Sequence, residues 1–190
     1  MKNLEEKLLI RKQLIEKRNL LPPDIRKDYS KLIQEKLFRM EAFKEAEDIL
    51  IYASYQSEVE THNILKTLLL SGKRVFCPKV LEPKRMEFYQ IKSYFDIMPG
   101  FKGIPEPLIT HKVYRPNPNF KAIMIMPLVG FDDKKHRLGY GGGFYDCYLE
   151  KHPHFNTIAL AFECQKTKEP LPTQDNDINP QWIITENNIY

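Results

Sequence analysis

The sequence predicts an α/β fold in which helices sandwich a largely parallel sheet. Three observations predict it. Short apolar runs of strand length alternate with segments that carry apolar residues at helical spacing. Five of the eight glycines lie between Gly130 and Gly143, directly after the apolar run Ala122 to Met126, as at a strand-to-helix connection. A chain of 190 residues with 42% hydrophobic content can bury one sizeable core, so one domain over residues 1–190 is expected.

Leu4, Leu8, Arg11 and Ile15 follow helical spacing, as do Leu32, Leu37 and their neighbours, and Pro22-Pro23 separates the two helices. Asp48 to Ala53 reads as a strand. Thr61 is placed as the N-cap of a helix bearing Ile64, Leu65, Leu68 and Leu69, and Arg74 to Pro78 follows Gly72 as the next strand. A strand, helix and strand in this order make a βαβ unit. Met86 to Ile91 alternates well enough to add another strand, and the proline-rich stretch Pro99 to Pro118 is expected to cross the surface as a long irregular connection. Ala122 to Met126, Thr157 to Ala161 and Gln181 to Thr185 supply the remaining strands, with a helix from Phe144 to Lys151 between the first two. Open sheets of this kind bind ligands outside the carboxyl ends of their strands, where Gln56 to Glu60, Pro127 to Asp146 and the loop around Asp177 are expected to gather.

Composition narrows the function. A net charge of +4 from 29 basic and 25 acidic residues does not require a nucleic-acid partner and suits a small polyanion equally well. The three cysteines are odd in number and widely spaced, without a CxxC pair, which argues against zinc and a disulfide framework and for a reducing cytoplasm. No apolar run approaches membrane-spanning length and the amino end has no signal-peptide pattern, so no membrane partner is expected.

The stretch Arg137-Leu138-Gly139-Tyr140-Gly141-Gly142-Gly143-Phe144-Tyr145-Asp146 reads as a nucleotide-phosphate cradle. Glycines bring bare N–H groups close to an anion at a helix amino end. Arg137 adds a planar fork of donors, and Asp146 supplies a hard oxygen suited to Mg²⁺. It is neither of the two common phosphate fingerprints, since a GxGxxG from Gly139 needs glycine at Phe144 and a Walker loop needs Gly-Lys-Ser/Thr. The plain alternative is a glycine-rich corner.

Together with Pro127 to Asp132, Lys7 with Arg11, Gln56 to Thr61, and Leu171-Pro172 leading to Asp177, this stretch resembles the signature of the 5-formyltetrahydrofolate cyclo-ligase family, and the matching blocks span essentially the whole chain. The resemblance implies a three-layer, Rossmann-like α/β/α sandwich. It also implies conversion of 5-formyltetrahydrofolate to 5,10-methenyltetrahydrofolate at the expense of ATP, with Mg²⁺. By resemblance, ATP contacts fall on Lys7, Arg11, Arg137, Leu138, Gly139, Tyr140, Gly141, Gly142, Gly143, Phe144 and Tyr145, and Arg137 and Tyr145 take catalytic roles. Substrate contacts fall on Ala53, Glu58, Tyr140, Gly141, Gly142, Gly143 and Phe144, and Asp146 and Asp177 match the magnesium carboxylates. His136 receives no role, and a monomer is expected. Read without the family, Lys7 and Arg11 are a solvated helix face, and a nucleotide sensor or a basic RNA-binding accessory protein would also suit these residues.

Overall fold

The computed structural model describes residues 2–81, 85–109, 111–117 and 119–190. Helices α1 (Lys2–Asn19), α2 (Pro23–Arg39) and α3 (Glu41–Glu45) precede strand β1 (Asp48–Ile51), helix α4 (His62–Leu70) and strands β2 (Arg74–Leu81) and β3 (Arg85–Ile91). A short ribbon of β4 (Ile97–Pro99) and β5 (Pro105–Pro107) leads to β6 (Ala122–Pro127) and a hairpin of β7 (Gly130–Phe131) and β8 (Arg137–Leu138). Helix α5 (Phe144–Lys151), β9 (Asn156–Leu160) and β10 (Trp182–Ile184) follow.

Six strands form the central sheet in the order β10-β9-β6-β1-β2-β3. All neighbouring pairs are parallel except β2 with β3. The two-residue period of the strands sorts their side chains onto two faces. Ile49, Ile51, Val75, Cys77, Ile123 and Ile125 point into one core with Ile33 and Leu37 of α2, Phe43 of α3 and Ile64, Leu65 and Leu68 of α4. Leu50, Phe76, Met124 and Met126 point the other way, against Tyr148 and Leu149 of α5. Helices therefore cover both faces, which is the expected three-layer sandwich. Burying each of Ile64, Leu65 and Leu68 contributes about 1.5–3 kcal/mol, and together they fix α4 on the sheet.

Several expectations need correction. The first strand leaves the ladder after Ile51, with Tyr52 and Ala53 buried beyond it. β2 runs past Pro78, because its pairing with β3 continues to Leu81 opposite Arg85. Thr61 precedes α4 but does not cap it: its hydroxyl donates to the Tyr52 carbonyl and accepts from Ser54 N–H, fastening the end of β1 instead. The stretch Pro99 to Pro118 is not wholly irregular, since the β4–β5 ribbon is anchored by buried Glu106, which accepts from Lys79 and from the Val80 N–H. Residues 110 and 118 of that stretch lie outside the described residues. α3 and the β7–β8 hairpin had no forecast in the sequence pattern.

The strand order creates the place for a site. From β1 the chain proceeds outward through β2 to β3, then returns to the other side of β1 as β6. The loops after β1 and β6 therefore part at the carboxyl edge of the sheet, and a crevice opens at this switch point.

Candidate active site

α1 brings its cations to this crevice. Lys7, Leu14 and Arg18 lie on one helical face, and all three are buried. Lys7 Nζ pairs with Asp177 Oδ2 at 2.6 Å. Arg11 Nε donates to the Gly139 carbonyl at 2.7 Å. Burial pulls the Arg11 pKa down, and the nearby Asp177 opposes that shift. Close approach of α1 is permitted by Gly130, where a Cβ would stand 2.2 Å from Leu14 Cδ1.

The glycine segment has a backbone that only glycine adopts easily. Gly141 and Gly143 have φ of 98° and 67°, the left-handed region in which glycine carries no Cβ strain. Gly143 immediately precedes α5, so the glycines run directly into a helix amino end. Arg137 is almost fully enclosed: Nη2 donates to Asp146 Oδ1 at 2.5 Å, its guanidinium carbon lies 5.9 Å from the Tyr145 ring centre, and Nε is buried without a hydrogen-bond partner. Leu138 packs its side chain into a small core with Leu14, Val129 and Leu171, so only its main chain faces the loop. Phe144 leans over Gly142, where a Cβ would lie 2.5 Å from the ring.

The loop after β1 supplies the opposite wall. Gln56 adopts φ of 53°, and the turn returns the chain so that Glu58 N–H reaches the Tyr55 carbonyl while Glu58 Oε2 accepts from Tyr55 N–H at 2.8 Å. Burial pushes the Glu58 carboxyl pKa up, and hydrogen bonds from the Tyr140 hydroxyl and Tyr55 N–H, with the Arg18 charge, hold it back. The Tyr140 and Tyr145 hydroxyls are both driven up by burial and then by the Glu58 charge, so both remain neutral donors. Ala53 is buried at the end of β1.

Asp146 and Asp177 meet at one junction. Asp146 Oδ1 accepts from the N–H of Ile178, the residue after Asp177, at 3.2 Å. Each carboxylate faces a cation, Arg137 or Lys7. Among the described residues no group of three or more His, Cys, Asp or Glu side chains could form a metal cage. Carboxylate oxygens are the ligand type that Mg²⁺ takes, with waters and phosphate oxygens completing its shell, so Asp146 and Asp177 are the candidate ligands here.

Two contributors escaped the sequence reading. Arg18 Nη1 donates to the Tyr140 hydroxyl at 2.8 Å and Nε to Ser57 Oγ at 3.0 Å; its signal was the spacing 7, 11, 18 along the inward face of α1. Asp132 accepts from the Lys134, His136 and Leu171 N–H groups, and its Oδ2 lies 2.8 Å from His136 Nδ1. Burial opposes its ionisation, but these donors outweigh the cost and hold its pKa below the usual range. His136 thus helps fasten the β7–β8 turn to Leu171.

Fold and site define an α/β protein with a glycine-rich segment leading into a helix at the switch point of its sheet. Residues 3–186 match the model of the 5-formyltetrahydrofolate cyclo-ligase family, and the chain belongs to that family. Among its relatives, the 5-formyltetrahydrofolate cyclo-ligase of Haemophilus influenzae is 34% identical over 71% of this chain and 73% of its own length. That of Escherichia coli K12 is 27% identical over 92% and 97%. The solved structure of Aquifex aeolicus 5,10-methenyltetrahydrofolate synthetase superposes with a TM-score of 0.82 at 28% identity, covering 96% of this chain and 91% of that one.

Proposed function

We propose that the protein is a cytoplasmic, monomeric enzyme that converts 5-formyltetrahydrofolate to 5,10-methenyltetrahydrofolate, releasing ADP and phosphate. The observation that carries the ATP-dependent reading is Arg137, whose side chain is enclosed beside the glycine segment and whose Nε is buried without a partner. Such a donor costs free energy until an acceptor arrives, and a phosphate oxygen is the acceptor that this loop suits.

The reaction explains the charge of the site. A formyl amide is a weak electrophile with a poor leaving group. Transfer of the γ-phosphoryl group to the formyl oxygen gives an iminium phosphate and ADP. N10 then attacks the formyl carbon and loses its proton, and the carbon–oxygen bond breaks to release phosphate. Positioning and charge neutralisation supply the acceleration in chemistry of this kind. In this reading Lys7, Arg11 and the Gly139 to Phe144 main chain hold the nucleotide, and Arg137, stacked near Tyr145, meets the transferring phosphoryl group. Ala53, Glu58 and Tyr140 face the folate, with Glu58 accepting from ring N–H groups. Asp146 and Asp177 would hold Mg²⁺, which when bound neutralises phosphate charge.

A turnover assay that follows methenyl-folate absorbance tests the proposal. Product should form only when ATP and 5-formyltetrahydrofolate are both present, with one ADP per product. ATP hydrolysis that ignores the folate, or binding of both ligands without turnover, would sink it. If Asp146 and Asp177 share one ion, either Asp→Asn variant should need more Mg²⁺ for half-maximal rate, and the double variant should cost less than the sum of the singles.

A further inference from the structure

Arg18 is 3% exposed, and the phosphate reading leaves it without a task. Burying a guanidinium is unfavourable unless its donors are satisfied, and an apolar side chain would fill the same space without that cost. Its partners are therefore informative. Nε donates to Ser57 Oγ, which in turn donates to Asn19 Oδ1, and Nη1 donates to the Tyr140 hydroxyl. The guanidinium carbon lies 5.8 Å from the Tyr140 ring centre. One side chain of α1 thus bridges the loop after β1 and the glycine segment.

We propose that Arg18 is a positioning residue that clamps these two loops together and holds Tyr140 and Glu58 as one unit for recognising the folate ring. The proposal rests on the cyclo-ligase reading only for the identity of that ligand. The groups facing Glu58 are Arg18 from α1, Tyr140 from the glycine segment, Tyr145 from α5, Tyr52 from the end of β1, and the Tyr55 N–H. The three phenols are neutral, so Arg18 carries the one formal positive charge in this set. Its charge opposes the rise that burial imposes on the Glu58 carboxyl, and its Nη1 fixes the hydroxyl that lies beside that carboxylate.

The test compares Arg18→Gln, Arg18→Lys and Tyr140→Phe with the unaltered protein. The Glu58 carboxyl is titrated by carbon-13 NMR without ligand, and 5-formyltetrahydrofolate and ATP binding are measured by calorimetry from pH 5.5 to 8.5. Arg18→Gln should raise the Glu58 midpoint. It should weaken folate binding about tenfold at neutral pH, the equivalent of about 1.4 kcal/mol, with partial recovery as pH rises. ATP binding should be unchanged. Arg18→Lys should return the midpoint toward its original value because the charge is restored, while folate affinity recovers only in part without the two-pronged grip. A folded Arg18→Gln variant with an unmoved Glu58 midpoint would overturn the proposal, as would equal losses of folate and ATP affinity at every pH. If Arg18→Gln does not fold, Arg18→Lys and Tyr140→Phe decide: each should weaken folate binding and spare ATP, and a parallel loss of both ligands overturns the proposal. If the unaltered protein binds no folate, the functional reading fails, and the Glu58 titration in the free protein still decides the role of Arg18.

Discussion

Helices α4 and α1 are built on opposite plans. α4 turns Ile64, Leu65 and Leu68 into the main core. α1 turns Lys7, Leu14 and Arg18 inward and leaves Leu4, Leu8 and Leu9 more than half exposed, at 57%, 56% and 58%. Helix α4 is held by apolar area; α1 is held by directed contacts to Asp177, Gly139, Ser57 and Tyr140 around Leu14, with Ile10 and Ile15 partly buried beside it. Apolar contacts have no competitor among small polar ligands. Ion pairs and hydrogen bonds do, which suits α4 to a scaffold and α1 to the candidate site.

Substitutions can break this contrast at either helix. The largest stability effect is expected at α4: Leu65→Ala should cost about 2–5 kcal/mol, from lost burial and a residual cavity. Urea unfolding would measure it, and nucleotide affinity should be unchanged while the protein is folded. A fall in ATP affinity without a shift in the urea midpoint would place α4 in the site after all. At α1, Lys7→Met should weaken ATP binding about tenfold to a hundredfold, the equivalent of the about 1.5–3 kcal/mol typical of a charge-assisted hydrogen bond. Calorimetry on the folded variant would show this, and undiminished ATP binding would reduce Lys7 to a structural partner of Asp177. The smallest effect belongs to the outer face of α1. Leu8→Gln should change unfolding free energy by no more than about 0.5 kcal/mol, and a larger loss would show that this leucine is covered in solution.

The same contrast explains what was legible in the sequence. α4, the six strands of the central sheet and the helix from Phe144 to Lys151 were readable because their burial follows polarity, at a period of two or near 3.6. The glycine segment was readable because backbone approach needs glycine wherever it occurs. Arg18 was missed because a buried arginine has the same sequence appearance as a solvated one until Ser57 and Tyr140 are placed beside it. Asp132 was passed over for a related reason: its partners at residues 134, 136 and 171 include one that tertiary structure alone brings near. Thr61 had the right type for a cap, but the end of β1 competed for its hydroxyl and won.

The pairing of Lys7 with Asp177, 170 positions apart in the chain, also has a consequence for biosynthesis. At about 5–20 residues per second, roughly 10–30 s separate the synthesis of the two residues. For that interval α1 has emerged while the partners of its inward cations are still being made. β1, α4 and β2 are adjacent in sequence and need only one another to begin pairing, so they are suited to fold first. The helix made first would then be the last to dock, and a ribosome that stops short of Asp177 would release a chain whose sheet has started to form but whose first helix has not closed on the glycine segment.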